Sequence, residues 1–398
     1  MNDQIDQPRR RIVLGAAALS TGLSTALLPL AALAAEPVKV GLILPMSGPF
    51  ASTGRQIEAA VRLYLAQRGA TVAGRPVELI IKDDGGVSPD VTKRLAQELV
   101  ARDKVQVLAG FGLTPLAFAA APVATQARVP MIVMAAATSV IPQRSPYIVR
   151  TGFTLAQVTA PMAQWAAKNR IRTVVTLVSD YGPGIDAEKV FVKGFTEGGG
   201  KVVDTVRAPL RNPDYAPFLA KVRDLKPDAL FVFVPSGEGA AALKQFTERG
   251  LAAAGVRLIC TGDVLDDDLM ASIGPAAAGV VSSHHYSAAH PSADNKAFVD
   301  AFQKANKGMR PNFHAVGGYD GMHLLYQALT KTGGDSTGDK LLAAMKGMAW
   351  TSVRGPVGID AATRDIVQTV YIRKAQLVAG GYYNVEFDQV DKVRDPGV

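Results

Sequence analysis

Short apolar, β-branched runs alternate along this chain with longer stretches in which apolar residues recur every three or four positions. Val38 to Leu44 is apolar apart from Lys39 and Gly41, the pattern of a strand covered on both faces. Between Gly54 and Gln67, Ile57, Val61, Tyr64 and Leu65 keep helical spacing. The rhythm continues with strands at 78–82, 105–109 and 130–134 and with helices opening at Ser88-Pro89-Asp90 and near Leu116. Ser88 suits a helix cap, Pro89 the first helical position, and Asp90 the positive end of the helix. After Arg150 the alternation restarts, with helices at 155–169, 185–197, 215–225 and 239–249. The strands between them are expected at 173–178, 202–206, 229–234 and 257–260. From about Tyr286 the rhythm loosens, with helices expected at 295–306 and 319–329 and a strand-like tail over 370–387. Apolar strands divided by helices imply parallel sheets covered on both faces; two such sets imply an α/β chain of two doubly wound lobes.

The first residues follow a different pattern. Arg9-Arg10-Arg11 precedes an apolar stretch from Ile12 to Leu33 that closes on Ala32-Leu33-Ala34. Basic, apolar and small-x-small segments in that order predict an export signal over 1–34, and the paired arginines fit the twin-arginine form. An uncleaved membrane helix is the competing reading; Pro29, the Ala and Gly content and the cleavage motif argue against it. The expectation is a cleaved protein free in the periplasm. Cys260 is the only cysteine, which excludes an internal disulfide and leaves no thiol near Ala34 for a lipid. A chain of this length holds together by its core and usually divides in two. The net charge is +8, but Lys and Arg are neither clustered nor interleaved with aromatics, so nucleic acid is not an expected partner.

In open α/β sheets, ligands sit beyond the carboxyl ends of the strands. Three loops at such ends have suitable chemistry. Gly110-Phe111-Gly112-Leu113-Thr114-Pro115 combines glycines with a helix start, where an anion meets free amides; the equal alternative is that Thr114 caps its helix and nothing more. Ala135-Ala136-Ala137-Thr138-Ser139 offers backbone and hydroxyls, or a simple turn into a helix. Ser179-Asp180-Tyr181-Gly182-Pro183-Gly184 places an aromatic before a glycine-rich turn, and by itself reads as ordinary packing. No catalytic motif of the G-x-S-x-G, phosphate-loop or H-E-x-x-H kind occurs. His284, His285 and His290 lack further metal ligands at suitable spacing, which favours surface or packing roles. Asp266-Asp267-Asp268 reads as a solvated helix start in preference to a cation site. No enzyme activity, cofactor or metal is expected.

Several motifs then fall in a familiar order: Leu42-Ile43-Leu44-Pro45-Met46-Ser47-Gly48-Pro49, Lys82-Asp83-Asp84, Ala136-Ala137-Thr138, Ser179-Asp180-Tyr181-Gly182 and Gly317-Gly318-Tyr319-Asp320-Gly321-Met322. From Val38 to its end the chain resembles periplasmic solute-binding proteins of the branched-chain amino acid (Leu/Ile/Val-binding) family of ABC transporters. The resemblance implies a type I periplasmic binding fold, with lobes at 36–152 plus 286–354 and at 153–285 plus 355–398. Three crossovers are implied near 151–155, 283–288 and 353–357. It further implies that Thr114, the backbone at Ala136 and Ala137, and Thr138 hold the ligand's charged groups from the first lobe. Tyr181 would close over the ligand, Asp263 would meet an ammonium, and Phe313 and Thr53 would line the side-chain pocket. Pro235 stands where amino-acid binders often carry an aromatic, and Thr53 replaces a frequent tyrosine. Pro235-Ser236-Gly237-Glu238 also resembles branches that take up aromatic carboxylates. The implied function is capture of a small carboxylate with an apolar body, as a monomer serving a membrane permease and its ATPase. The alternative is a ligand-sensing domain feeding a signalling partner.

Overall fold

The computed structural model describes residues 36–397; the expected leader and its cleavage motif lie outside the described residues. The first sheet contains β1 (Val38–Leu44), β2 (Thr71–Val72), β3 (Arg75–Asp83), β4 (Val107–Gly110), β5 (Met131–Val133) and β6 (Ile148–Arg150). Their order is β2-β3-β1-β4-β5-β6, and every pairing is parallel except β2 with β3. Helices α1 (Ala51–Arg68), α2 (Pro89–Ala101) and α3 (Thr114–Ala127) form the connections. The apolar run that marks β1 is buried at every position but Lys39, as a central parallel strand requires.

After β6 the chain enters α4 (Leu155–Lys168) and builds a second sheet. Strands β7 (Thr173–Ser179), β8 (Lys201–Ala208), β9 (Ala229–Phe233), β10 (Arg257–Thr261) and β11 (Val281–His284) alternate with α5 (Gly182–Glu197), α6 (Ala216–Leu225), α7 (Gly239–Glu248) and the short α8 (Met270–Ile273). Helices α9 (Ala293–Ala305), α10 (Phe313–Lys331) and α11 (Gly338–Met345) follow, then β12 (Ala349–Ser352) and β13 (Gly355–Ile359). A closing hairpin of β14 (Ile366–Val378) and β15 (Gly381–Val393) ends the fold. The order is β12-β13-β14-β11-β10-β9-β7-β8, with β15 also on β14. The β11-to-β8 part is parallel, and β14 joins it antiparallel by pairing Val281–His284 with Tyr371–Lys374. The structure has the expected doubly wound α/β architecture, with an antiparallel C-terminal addition that the loosened pattern after Tyr286 had hidden.

The helix spacing seen in α1 turns Ile57, Val61 and Tyr64 into one core with Met322, Leu325 and Leu329 of α10. Val357, Ile359 and Ile366 join that core although their strands are hydrogen-bonded into the second sheet. In the second half, Phe191 of α5 stacks on Phe231 of β9 with centroids 4.1 Å apart. Cys260 is fully buried in β10, and desolvation pushes its thiol well above the ordinary range.

Where the chain passes between the sheets, each passage holds a fully buried arginine. Arg150 donates to the carbonyls of Thr138 (2.9 Å) and Phe153 (3.2 Å) and pairs with Asp365 at 2.7 Å. Arg354 donates to the carbonyls of Thr151 (2.6 Å) and Gly152 (3.2 Å) and pairs with Asp320 at 2.8 Å. Arg373 donates to the Tyr286 carbonyl and, at 3.2 Å, to Ser282 Oγ. Buried guanidiniums survive because carbonyls and carboxylates take up their donors.

Candidate functional site

The carboxyl ends of both sheets meet around a narrow, tightly closed cavity. On the first sheet, β4 turns through Gly110-Phe111-Gly112-Leu113 into α3. Gly110 has φ 105°, and a Cβ there would stand 2.5 Å from the Ile43 carbonyl oxygen, so glycine permits this close turn. The turn places Thr114 against the cavity, 3% exposed, with Oγ1 buried and without a hydrogen-bond partner among the described residues. Thr114 is therefore not the cap that one reading of the sequence expected: Leu113 occupies the cap position and no side chain caps α3. The amides of Leu113 and Thr114 donate to no backbone acceptor, so the helix start presents donors and its positive end to the cavity. Ala136 and Ala137 after β5, with Phe50 and Thr53 at the start of α1, complete this wall. The loop beyond Ala137 runs into a single tight turn at Ile141–Arg144, not into the helix that was the alternative expectation.

The second sheet supplies Tyr181, Pro183, Pro235, Ser236 and Asp263. Tyr181 lies nearly parallel to Phe233, with centroids 6.1 Å apart, and burial holds its hydroxyl well above its ordinary pKa. A Cβ on Gly184 would fall 1.9 Å from the Ser179 carbonyl oxygen, so glycine lets α5 start hard against the end of β7. Asp263 Oδ2 accepts from Thr261 Oγ1 at 3.0 Å and lies 3.5 Å from His284 Nε2. His314, in the first turn of α10, also faces the cavity. Burial lowers His284 to about 4 and His314 to about 3, so both rings are neutral at physiological pH. Phe153, on the first passage between the sheets, lines the cavity and packs against His284 and Phe313 at 4.6 and 5.5 Å.

The structure brings Thr53, Thr114, Ala136, Ala137, Tyr181, Pro235 and Asp263 together around one cavity. Thr138 and Phe313 are not among its lining residues. Thr138 Oγ1 donates to Asp186 of α5, which also accepts from the Ser139 amide at 2.9 Å, so this threonine ties the two walls together. Phe313 is packed behind the cavity against Phe153 and His284. Phe50, Phe153, Ser236 and His314 line the site without having been anticipated; Ser236 and His314 each adjoin an expected residue, the one signal that pointed to them.

The expectation for the acidic cluster needs correction. Asp266 and Asp267 are each 1% exposed and do not form a solvated helix start. Asp266 accepts from Ser236 and from Asn312 Nδ2 at 2.9 Å, and burial raises it to about 7. Asp268 accepts from Ser52 of α1 at 2.7 Å, a second tie across the cleft. His284 and His285 are fully buried core residues, so of the two roles expected for the histidines these two take the packing one.

The geometry agrees with the relatives found by comparison. A solute-binding protein of an ABC transporter from Rhodopseudomonas palustris BisB5, solved in complex with 3,4-dihydroxybenzoic acid, is 60% identical; the match covers 91% of this chain and 99% of that one, with TM-score 0.88. A second R. palustris solute-binding protein, in complex with 4-hydroxybenzoate, is 41% identical over 90% of this chain and 98% of that chain, also with TM-score 0.88. The Brucella melitensis biotype 1 protein named Leu/Ile/Val-binding protein homolog 6 is 41% identical over 95% of this chain and 98% of its own length. The model of the periplasmic binding protein family matches residues 37–381, and this chain belongs to that family.

Proposed function

We propose that the protein captures a small aromatic carboxylate between its two sheets and delivers it to the permease and ATPase of an ABC importer. One observation carries this reading: the buried, unpartnered hydroxyl of Thr114 at the open start of α3. No Lys or Arg lines the cavity among the described residues, so an anionic group finds its partners in this hydroxyl and the neighbouring amides. Phe50, Phe153 and Tyr181 supply flat apolar surface for a ring, and Pro235 adds an apolar face with no amide donor. The two R. palustris relatives, one of them 60% identical, were solved with hydroxybenzoates.

On this reading Thr114, Ala136 and Ala137 hold the carboxylate, Tyr181 and Thr53 border the ring, and Thr138 supports the wall from behind. The protein binds and releases its solute unchanged, works as a monomer, and reaches the periplasm by export and cleavage near Ala34. The second reading is an amino acid. It is favoured by Asp263, the one carboxylate lining the cavity among the described residues, and by the name of the Brucella relative. Calorimetric titration with benzoate, 4-hydroxybenzoate, 3,4-dihydroxybenzoate and leucine decides between them. Tighter binding of an aromatic acid is expected; a preference for leucine overturns the reading.

A further inference from the structure

We infer that the cavity reads a hydroxyl on the ring of its ligand through Asp263 and His314, both of which line it. The inference rests on the reading of the ligand as an aromatic acid. It concerns the half of the site away from Thr114, contributed by the end of β10 and the start of α10.

Asp263 Oδ2 accepts from Thr261 and lies 3.5 Å from His284 Nε2, while Oδ1 makes no hydrogen bond among the described residues. His314 is 5% exposed and lines the same cavity. Its backbone amide is tied to Asn312 Oδ1 at 2.9 Å, but among the described residues its ring makes no hydrogen bond, and Nδ1 is buried without a partner. Packing fixes the ring instead, with the Phe313 centroid 4.1 Å away. His284 is held in the same way, between Phe153 at 4.6 Å and Phe313 at 4.2 Å, with His285 at 4.5 Å. Both nitrogens of His284 and both of His285 are buried without a hydrogen-bond partner. A packed block of imidazoles with spare hydrogen-bonding capacity thus backs one carboxylate at the cavity surface.

Neutral imidazole carries one donor and one acceptor, and an ionised carboxylate accepts only. Lining one cavity, His314 offers it a donor and Asp263 an acceptor. A phenolic hydroxyl is the complement: it gives its proton to Asp263 Oδ1 and takes a hydrogen bond from the imidazole. An unsubstituted ring edge buries both groups against C–H bonds and leaves them unpaired. Sites built to pair a hydroxyl reject analogues that lack it for this reason.

The test measures the affinity of the whole protein for benzoate, 4-hydroxybenzoate and 3,4-dihydroxybenzoate, and repeats it in His314→Phe, His314→Gln and Asp263→Asn. The wild type is expected to prefer at least one hydroxylated acid over benzoate by about ten- to a hundredfold. In His314→Phe and Asp263→Asn that ratio is expected to fall to about threefold or less, with His314→Gln intermediate because its amide can still donate. Thermal melts establish that each variant is folded; if His314→Phe is not, the other two variants carry the test. Equal wild-type affinity for benzoate and the hydroxylated acids overturns the inference, as does loss of both by the same factor in the variants. Either result leaves the aromatic acid itself standing, whereas failure of all three acids to bind removes both readings.

Discussion

The two walls of the cavity solve different problems with different materials. The wall at the ends of β4 and β5 and the start of α1 has no ionisable side chain among the described residues that line the cavity: Phe50, Thr53, the alanines, the loop before α3 and the Thr114 hydroxyl form it. The wall on the second sheet brings a tyrosine, a carboxylate and, behind it, neutral histidines. Backbone donors at a helix start suit any carboxylate, because they recognise charge and little else. Side chains at strand ends can vary without disturbing the sheet, and under the inference above the choice among acids falls to them.

The comparison requires both walls to be held in register, and this is where the largest effect is expected. Arg354→Met strands the buried Asp320 beside the passages between the sheets. It should cost about 3–5 kcal/mol of stability, read from urea unfolding. A cost below about 1 kcal/mol would mean that the passages are held by packing alone.

The second effect is in pH, and it belongs to the second wall. His284 is lowered to about 4 in the folded protein from an ordinary value near 6.5, so between those values the unfolded chain binds the proton and the folded chain does not. Stability therefore falls as pH drops from about 6.5 to 4, by roughly 3 kcal/mol for this residue. Asp266 acts in the opposite sense: raised to about 7, it takes up its proton on folding, and its contribution grows as pH falls from about 7 to 4. Melting temperatures across pH 4–8 should fall less steeply on the acid side in His284→Gln and more steeply in Asp266→Asn.

For the first wall, Thr114→Ala should weaken every carboxylate ligand by a similar amount, about 1.5–3 kcal/mol, because a hydrogen bond to a charged group is lost. Stability should hardly change, since the hydroxyl caps nothing. Calorimetry that found one acid spared would break the division of labour between the walls. The smallest effect is expected for Ser52→Ala, which removes the tie to Asp268 at the rim. A loss of about 0.5–1.5 kcal/mol in ligand affinity is expected, with no change in which ligand is preferred.

How much of this was legible depended on the range of the forces involved. Val38 to Leu44 announced β1, and Ile57, Val61 and Tyr64 announced the buried face of α1, because periodicity is a local property. Strands β2, β6, β12 and β13 were missed, being too short or too mixed to carry a period. Thr114 looked like a cap because a Thr-Pro pair suits a helix start; the φ and ψ of Leu113 decided which residue took that place. Asp266 looked solvated because three acids in a row usually are, until Ser236 and Asn312, 30 and 46 residues away in sequence, arrived to bury it. The polarity of the second wall is a product of such distant meetings, whereas the first wall is a property of one loop and one helix start.

The solitary thiol in β10 has a practical use. Cys260 is sealed in the core and kept protonated by desolvation, so maleimide and iodoacetamide reagents find no thiolate there at neutral pH. Any cysteine introduced at the rim, for instance in place of Ser52 beside Asp268, is then the sole reactive handle on the molecule. An environment-sensitive dye attached at that point turns a change in its surroundings into a change of emission. The protein becomes an optical gauge for its own solute with no background labelling to remove.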